Sequence, residues 1–173
     1  MWKFKSIADR AEMHSGSVVE SGPDQGLTLS QLIDLHGARM LGERVFMKYD
    51  SDRPQLADLI SEGHSLSVDV AAGQEPSGQA DAAGGKPANL PLNLVKNQQF
   101  CVNLIRLDSD LMRDYSESDS FVILHCTDGH AHISCGGHCI SVSPGHSLLV
   151  PAIAQGIRIE PAERASLIET YIF

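Results

Sequence analysis

The sequence predicts a mainly β fold, an antiparallel barrel or jelly roll with one or two short N-terminal helices. Short apolar runs that are rich in β-branched residues recur through the C-terminal half of the chain. Turns that contain Gly or Pro, such as Gly136-Gly137 and Ser143-Pro144-Gly145, separate these runs. Several short strands at regular spacing, with such turns between them, are typical of all-β sandwiches and barrels.

One helix is predicted to begin after Thr28. Gln31 stands three residues later, so the two side chains can form a capping box with the backbone at the helix start. Gly37 is suited to the C-cap position. One face of this helix carries an apolar stripe, which we expect to be buried against the β core. The stripe consists of Leu29, Leu32, Ile33 and Leu35.

Four further elements are predicted in the N-terminal part. They are a strand over Ser17–Glu20, a second helix over Ala38–Lys48, and strands over Leu56–Ile60 and Ser65–Val70. The last two strands are too few for an independent sheet. We therefore expect residues 1–70 to share one β core with the C-terminal part, or else to pair with another copy of the chain in a homodimer.

A flexible linker is predicted over residues 71–97, between a first part at 1–70 and a β-rich part at 98–173. Its first section, Ala71–Ala88, holds six Ala, four Gly and two Pro. Such a composition cannot bury enough apolar area to offset the chain entropy lost on ordering. Stretches of this kind are typical linkers.

Five strands are predicted in the C-terminal part. They are Phe100–Leu107, Phe121–Cys126, His130–Cys135, Ser147–Val150 and Ser166–Phe173. We expect a Thr-Asp-Gly turn to separate the second strand from the third. The last strand is expected to close the sheet.

A tight hairpin is predicted at Gly136-Gly137, because a two-residue Gly-rich loop joins two strand-like runs there. In this register, Cys135 pairs with His138 and Ser134 pairs with Cys139. The two cysteines then point to opposite faces of the sheet, which disfavours a disulfide between them.

Composition and charge limit the classes of function. The 173 residues carry 13 Lys and Arg against 22 Asp and Glu, a formal charge of −9. An acidic surface disfavours nucleic acid and anionic membranes as partners. No apolar run approaches the roughly 20 residues that a membrane span needs, and the first residues lack the apolar region of a signal peptide. We therefore expect a cytoplasmic protein with neither of those partners.

The C-terminal part also resembles a known family. Gly129, the Gly136-Gly137 turn and the Pro144–Ala152 stretch follow the spacing of a cupin. Together with Arg113-Asp114-Tyr115 and Asp119–Ile123, they resemble the C-terminal cupin domain of type I mannose-6-phosphate isomerases over roughly residues 98–172. The resemblance implies a cupin fold. Within that family, this domain is not the one that holds the metal.

The resemblance extends to the N-terminal part, where it places zinc ligands of the family. Residues 53–72 are similar to a segment whose Gln and His bind zinc, and those positions are Asp69 and Ala71 here. An alanine methyl group cannot bind zinc, and a single carboxylate on a strand is not a site. A third ligand position, a Glu, falls at Ala88. The long middle of the family, with its last ligand and its sugar-phosphate loops, has no counterpart.

A His/Cys group offers a different metal hypothesis. In the hairpin register, His130, His132 and Cys139 share one face, and Cys139 lies diagonally opposite His132, which would suit zinc at about 2.0–2.3 Å. The alternative is that these are ordinary polar positions on a sheet, since the general cupin motif Gly-x5-His-x-His is not met. The full group is His125, Cys126, His130, His132, Cys135, His138, Cys139 and His146.

An acidic run lies just before this region. Its spacing is irregular and no bidentate Glu closes it, so a solvated loop is predicted rather than a calcium site. The run consists of Asp108, Asp110, Asp114, Glu117 and Asp119.

Three functions remain open at this point. The first is a non-catalytic, isomerase-like cupin without a cofactor, a binding or regulatory module for a sugar, a sugar phosphate or a full-length relative. The second is an active metal-dependent isomerase that interconverts mannose 6-phosphate and fructose 6-phosphate through unexpected ligands. The third is a small zinc-binding cupin that uses the His130/His132 face. No catalytic residue is assigned, and zinc is the metal expected if any is bound.

Overall fold

The computed structural model describes residues 1–5, 18–51, 88–97, 100–154 and 156–172. Within these ranges the fold is mainly antiparallel β, as the sequence predicts, and the helices lie in the N-terminal part. No helix in the described ranges is long and apolar enough to cross a membrane.

The described strands join in one sheet with the order β1-β7-β5-β8-β3-β2, in which β4 also pairs with β8 and β6 with β5. The strands are β1 (Trp2–Phe4), β2 (Pro91–Lys96), β3 (Phe100–Leu107), β4 (Leu111–Asp114), β5 (Val122–Cys135), β6 (His138–Val142), β7 (Ser147–Val150) and β8 (Gly156–Ile172). The helices are α1 (Leu29–His36) and α2 (Ala38–Leu41), and residues 43–51 are also helical.

Two long strands, β5 and β8, organise this sheet. They pair with each other along most of their length, with register shifts between Cys126 and Asp128 and between Gly129 and Ala131. Such bulges bend a strand and increase its twist. Each long strand therefore has two outer neighbours: β5 pairs with β7 and then β6, and β8 pairs with β4 and then β3.

The main core lies between the two layers that this bend creates. Buried side chains from both halves of β5 and β8 form one apolar cluster, which includes Leu124, Ile133, Ile159 and Leu167. The result is a barrel-like sandwich whose middle is filled by aliphatic side chains.

The predicted turn at Thr127–Gly129 is wrong, because β5 continues through it. Gly129 has φ +71°, and a Cβ added there would overlap the carbonyl oxygen of Arg164 on β8. The glycine therefore marks a close backbone approach within a bulge and not the end of a strand. The last strand also begins earlier than predicted, at Gly156.

The linker prediction is wrong for its C-terminal part. Pro91–Lys96 forms β2 and pairs with β3. The Ala/Gly-rich composition ends at Ala88, and the apolar run that follows has the side chains and backbone donors of an edge strand. The earlier part of the predicted linker lies outside the described residues.

Three β predictions are confirmed in detail. The bounds of β3 and β7 are those predicted. The β5–β6 hairpin has the predicted register, with Cys135 opposite His138 and Ser134 opposite Cys139. The described cysteines are free.

Helix α1 confirms the predicted caps. The backbone N–H of Gln31 donates to Thr28 Oγ1 at 3.3 Å, and that of Thr28 donates to Gln31 Oε1 at 2.8 Å. Leu32 and Ile33 are buried against the outer face of β7 at Leu149. The stripe is narrower than predicted, since two of its members stay exposed, Leu29 by 37% and Leu35 by 63%.

Other N-terminal predictions are only partly matched. The helix predicted over Ala38–Lys48 is interrupted at Gly42, whose φ of +87° breaks the helical path. Val18 and Val19 make isolated bridges to Thr28 and Phe4 in place of a full strand. The strands predicted at 56–60 and 65–70 lie outside the described residues.

Candidate functional site

Polar side chains gather at one end of the barrel-like interior. The inward positions of β3 and β8 are apolar in the middle of the core, at Ile105 and Leu167. The next inward positions toward this end are Asn103, two residues before Ile105, and Glu169, two residues after Leu167. Both side chains are buried, and Glu169 has no exposed surface. A buried charge needs partners, so the surroundings of Glu169 define the candidate site.

The carboxylate of Glu169 is held by three side chains. Arg113 donates from Nε to Oε1 and from Nη2 to Oε2, each at 2.9 Å. The Tyr115 hydroxyl donates to Oε1 at 2.5 Å, and the Asn103 amide donates to Oε2 at 2.7 Å. Each carboxylate oxygen therefore accepts two hydrogen bonds, and the paired contact to Arg113 is the strong bidentate kind.

This network joins the two layers of the sandwich. Arg113 lies on β4, which pairs with the first part of β8. Glu169 lies in the last part of β8, which pairs with β3 and β5. On the other side, Asn93 of β2 donates to Asn103 Oδ1 at 3.0 Å. The network thus links β2, β3, β4 and β8 at one end of the core.

The electrostatics of the network keep its donors protonated. Burial and, next, the negative charge of Glu169 raise the pKa of Tyr115. Burial opposes the charge on Arg113, but the hydrogen bonds and charge of Glu169 outweigh it and raise the pKa of Arg113. The guanidinium also lies 5.5 Å from the centre of the Tyr115 ring, within cation–π distance.

An open cleft of about 620 Å³ lies beside the network. Arg113 and Tyr115 form part of its wall, together with Tyr171 at the end of β8 and Arg44 from the helical residues 43–51. The remaining wall consists of Ile172, of Asp114 at the end of β4, and of the loop between β4 and β5, which contributes Ser116, Glu117, Ser118 and Asp119.

The loop that borders the cleft is fixed by two carboxylates. Asp119 accepts from the backbone N–H groups of Glu43 at 3.0 Å and Arg44 at 3.1 Å, so it caps the helical residues 43–51. Asp114 accepts from the backbone N–H of Ser116 at 2.9 Å. This backbone hydrogen bond lowers the pKa of Asp114. The loop therefore presents its remaining side chains on a defined backbone.

The predicted zinc residues lie elsewhere, on the β5–β6 hairpin. His132 is exposed, and its Nδ1 is hydrogen-bonded to Ser141 Oγ at 2.8 Å. Cys139 is exposed opposite Ser134. Across the described ranges, no three His, Cys, Asp or Glu side chains are grouped as a metal site requires. The described residues His130, His132 and Cys139 are therefore not grouped in this way, and Asp69 and Ala71 lie outside the described residues.

Two other histidines of the His/Cys group also contact neighbouring serines. His125 Nδ1 is 2.9 Å from Ser147 Oγ, and His146 Nδ1 is 2.8 Å from Ser143 Oγ. These short contacts between neighbouring strands or within one turn match ordinary polar positions on a sheet.

The sequence pattern alone assigns no role to Glu169, Asn103 or Tyr115. It predicts a solvated loop for the acidic run but not a cleft, and the exposed side chains of Asp114, Glu117 and Asp119 also border the cleft. One signal could have found the site: alternation along β8 puts Glu169 on the same face as Ala165 and Leu167. An acid on the core face of a strand must have partners.

A known family model matches the part of the chain that carries this site. Residues 91–172 match the family model of the mannose-6-phosphate isomerase cupin domain. This match covers a little under half of the chain and includes β2 through β8. It supports a relationship to the isomerase cupin domain for that part. No curated protein sequence matches the chain significantly.

Solved cupin structures resemble about half of the chain at low identity. A cupin-2 domain protein from Shewanella frigidimarina is 10% identical over 50% of this chain and 82% of its own, with a TM-score of 0.44. A cupin superfamily protein from Desulfitobacterium hafniense is 17% identical over 51% and 83%, also at 0.44. A protein from Archaeoglobus fulgidus proposed to be a mannosephosphate isomerase is 18% identical over 45% of this chain and 25% of its own, at 0.41.

Proposed function

We propose that this protein is an isomerase-like cupin that acts as a binding module for a sugar-class ligand and not as a catalyst. In this proposal the protein derives from type I mannose-6-phosphate isomerases. It has lost their zinc ligands at the positions that Asp69 and Ala71 occupy. The cleft beside Arg113 is the binding site, and a regulatory role would follow from ligand occupancy there.

The observation that carries this proposal is the complete hydrogen bonding of Glu169. Moving a proton between C1 and C2 of a sugar requires a base with an accessible lone pair and a group that polarises the carbonyl. Among the described residues Glu169 is the one buried carboxylate, and both of its oxygens already accept two hydrogen bonds. It serves as a structural anchor, while the cleft next to it remains open for a ligand.

An isomerase assay tests the catalytic half of the proposal. Purified protein is incubated with mannose 6-phosphate and excess zinc, and fructose 6-phosphate is measured against a mock-purified control. We expect no turnover above that control. Turnover that a chelator abolishes would overturn the proposal and favour an active isomerase.

Metal content tests the remaining alternative. Mass spectrometry on protein purified without added metal should find only a small fraction of the chains carrying zinc. Stoichiometric zinc that is lost in a His130→Ala/His132→Ala double variant would identify the hairpin face as a zinc site and overturn the assignment made here.

A further inference from the structure

The cleft beside Arg113 is surrounded by more negative than positive charge. Its wall holds two arginines, Arg44 and Arg113. Against them stand three carboxylates of the wall, Asp114, Glu117 and Asp119, and the buried Glu169 behind Arg113. The site as a whole therefore has a formal charge of −2, and it belongs to a chain with a formal charge of −9.

This balance works against an anionic ligand. Arg113 gives two of its donors to Glu169, so most of its charge is already compensated. A phosphate dianion would meet Arg44, which forms no ion pair within the described ranges, and the carboxylates Asp114, Glu117 and Asp119. Like charges within several ångströms repel even when water screens them. Electrostatic repulsion from the rest of the acidic surface would also slow the approach of an anion.

The polar groups of the wall suit an uncharged polyol. A sugar hydroxyl both donates and accepts hydrogen bonds. The wall offers carboxylate acceptors at Asp114 and Glu117 beside the hydroxyls of Ser116 and Ser118. Arg113 Nη1 has no acceptor among the described residues and remains available as a donor. An aromatic ring, Tyr171, lies in the same wall and gives an apolar surface for the carbons of a sugar ring.

We propose that the cleft binds an uncharged sugar or polyol in preference to a sugar phosphate. This inference rests on the proposed function, because it specifies the ligand of the same site. The ligand is recognised by hydrogen bonds from Asp114, from the loop between β4 and β5 and from Arg113 Nη1. Its sugar ring stacks on Tyr171.

Calorimetric titration with three probes tests the preference. The probes are D-mannose, D-mannitol and D-mannose 6-phosphate, each added to the full chain at low ionic strength. We expect mannose or mannitol to bind at least about threefold more tightly than mannose 6-phosphate, which corresponds to one repulsive charge pair at several ångströms in a wet site. Equal or tighter binding of mannose 6-phosphate would overturn the preference and leave the proposed binding function intact. Absence of binding for all three probes would overturn the proposed function itself.

Two variants place the effect at the cleft. Glu117→Gln removes one carboxylate from the wall, and it should narrow the difference in affinity between mannose and mannose 6-phosphate by at least about twofold. The control is Glu163→Gln, an exposed carboxylate on β8 outside the cleft wall, which should leave the difference unchanged. Equal effects of the two variants would overturn the role of the cleft charges.

A bulky substitution gives an independent check of location. Ser116→Trp fills part of the cleft from an exposed position, and we expect it to weaken mannose binding at least about tenfold with an unchanged melting temperature. Ser30→Trp, at an exposed position of α1, is the matched control and should bind as the parent does. Undiminished binding by a folded Ser116→Trp variant would overturn the assignment to this cleft.

Discussion

Arg113 contacts both carboxylate oxygens of Glu169, at 2.9 Å each, from the opposite layer of the sandwich. The pair lies at one end of the core, next to the last buried aliphatic side chains of β3 and β8. Because Tyr115 and Asn103 complete the hydrogen bonding of Glu169, the carboxylate is satisfied without water. Arg113 also lines the cleft, so this structural ion pair holds one residue of the candidate site in place.

The first prediction concerns removal of this charge. Glu169→Gln keeps the shape of the side chain but leaves the half-buried Arg113 beside a neutral, fully buried amide whose NH2 group faces one of its donors. Breaking a buried pair in this way costs about 3–5 kcal/mol. We expect urea denaturation to show a loss of about 3 kcal/mol in the free energy of unfolding.

Glu163→Gln provides the control for that measurement, because Glu163 is exposed on the same strand. Its effect should stay within about 0.5 kcal/mol. A loss below about 1 kcal/mol for Glu169→Gln would mean that the network contributes little to stability.

The second prediction concerns Gly42, where the chain passes close to Asp119. Gly42 is buried with φ +87°, and an added Cβ would overlap the backbone carbonyl of Asp119. The substitution Gly42→Ala should therefore combine backbone strain with a steric clash. It should also displace Asp119 from the backbone N–H groups of Glu43 and Arg44, and so disturb the cleft loop.

Gly22→Ala separates the two costs. Gly22 has φ +101°, but a Cβ added there would have no heavy atom within 4 Å, so that variant carries backbone strain alone. Strain of this kind costs about 1–3 kcal/mol. We expect Gly42→Ala to lower the free energy of unfolding by at least about 2 kcal/mol more than Gly22→Ala does. Equal losses in urea denaturation would show that the contact with Asp119 is unimportant.

Much of the sheet could be predicted from the sequence because its signals are local. The alternation of Phe100–Leu107 and the two-residue Gly136-Gly137 loop determine strand bounds and hairpin register through short-range geometry. The capping box at Thr28 is local in the same sense. These are the elements for which prediction and structure agree.

The candidate site could not be predicted in the same way, because its partners are distant in sequence. Arg113 and Glu169 are 56 residues apart, and Asp119 is 76 residues from Glu43. Only the pairing of β4 with β8 and the packing of the helices bring them together. The turn prediction at Gly129 is wrong for a related reason: a Thr-Asp-Gly sequence is compatible with a turn, and only the approach of Arg164 on the neighbouring strand makes it a bulge.

The third prediction concerns acid stability at Asp24. Trp2 Nε1 donates to Asp24 Oδ2 at 2.7 Å, and His36 Nε2 lies 3.1 Å from the same oxygen. The Trp2 hydrogen bond and, less strongly, His36 lower the pKa of Asp24 below its usual value. As the pH falls, the unfolded chain then binds a proton at Asp24 before the folded chain does. The stabilisation is therefore complete above the unfolded pKa of about 4 and is lost as the pH falls through the lower folded value.

Thermal melts of the parent and of Asp24→Asn between about pH 6 and about pH 2.5 test the direction of this pH dependence. The parent should melt higher than the variant at the upper end, and the difference should shrink as the pH falls below about 4. A difference of the same size at both ends of the range would contradict the proposed linkage.

The fourth prediction concerns the packing of α1 on the sheet. Leu32 has no exposed surface and lies in one apolar cluster with Leu149 of β7. Truncation of a buried leucine removes its transfer free energy and leaves a cavity, at a cost of about 2–5 kcal/mol. If the helices and the sheet unfold as one unit, urea denaturation should show a single transition. Leu32→Ala should then lower the free energy of unfolding of the whole chain by that amount. Leu35→Ala is the matched control on the same helix, since Leu35 is 63% exposed, and it should change stability by less than about 0.5 kcal/mol. Two separate transitions, with only the weaker one sensitive to Leu32→Ala, would show instead that α1 unfolds independently of the sheet.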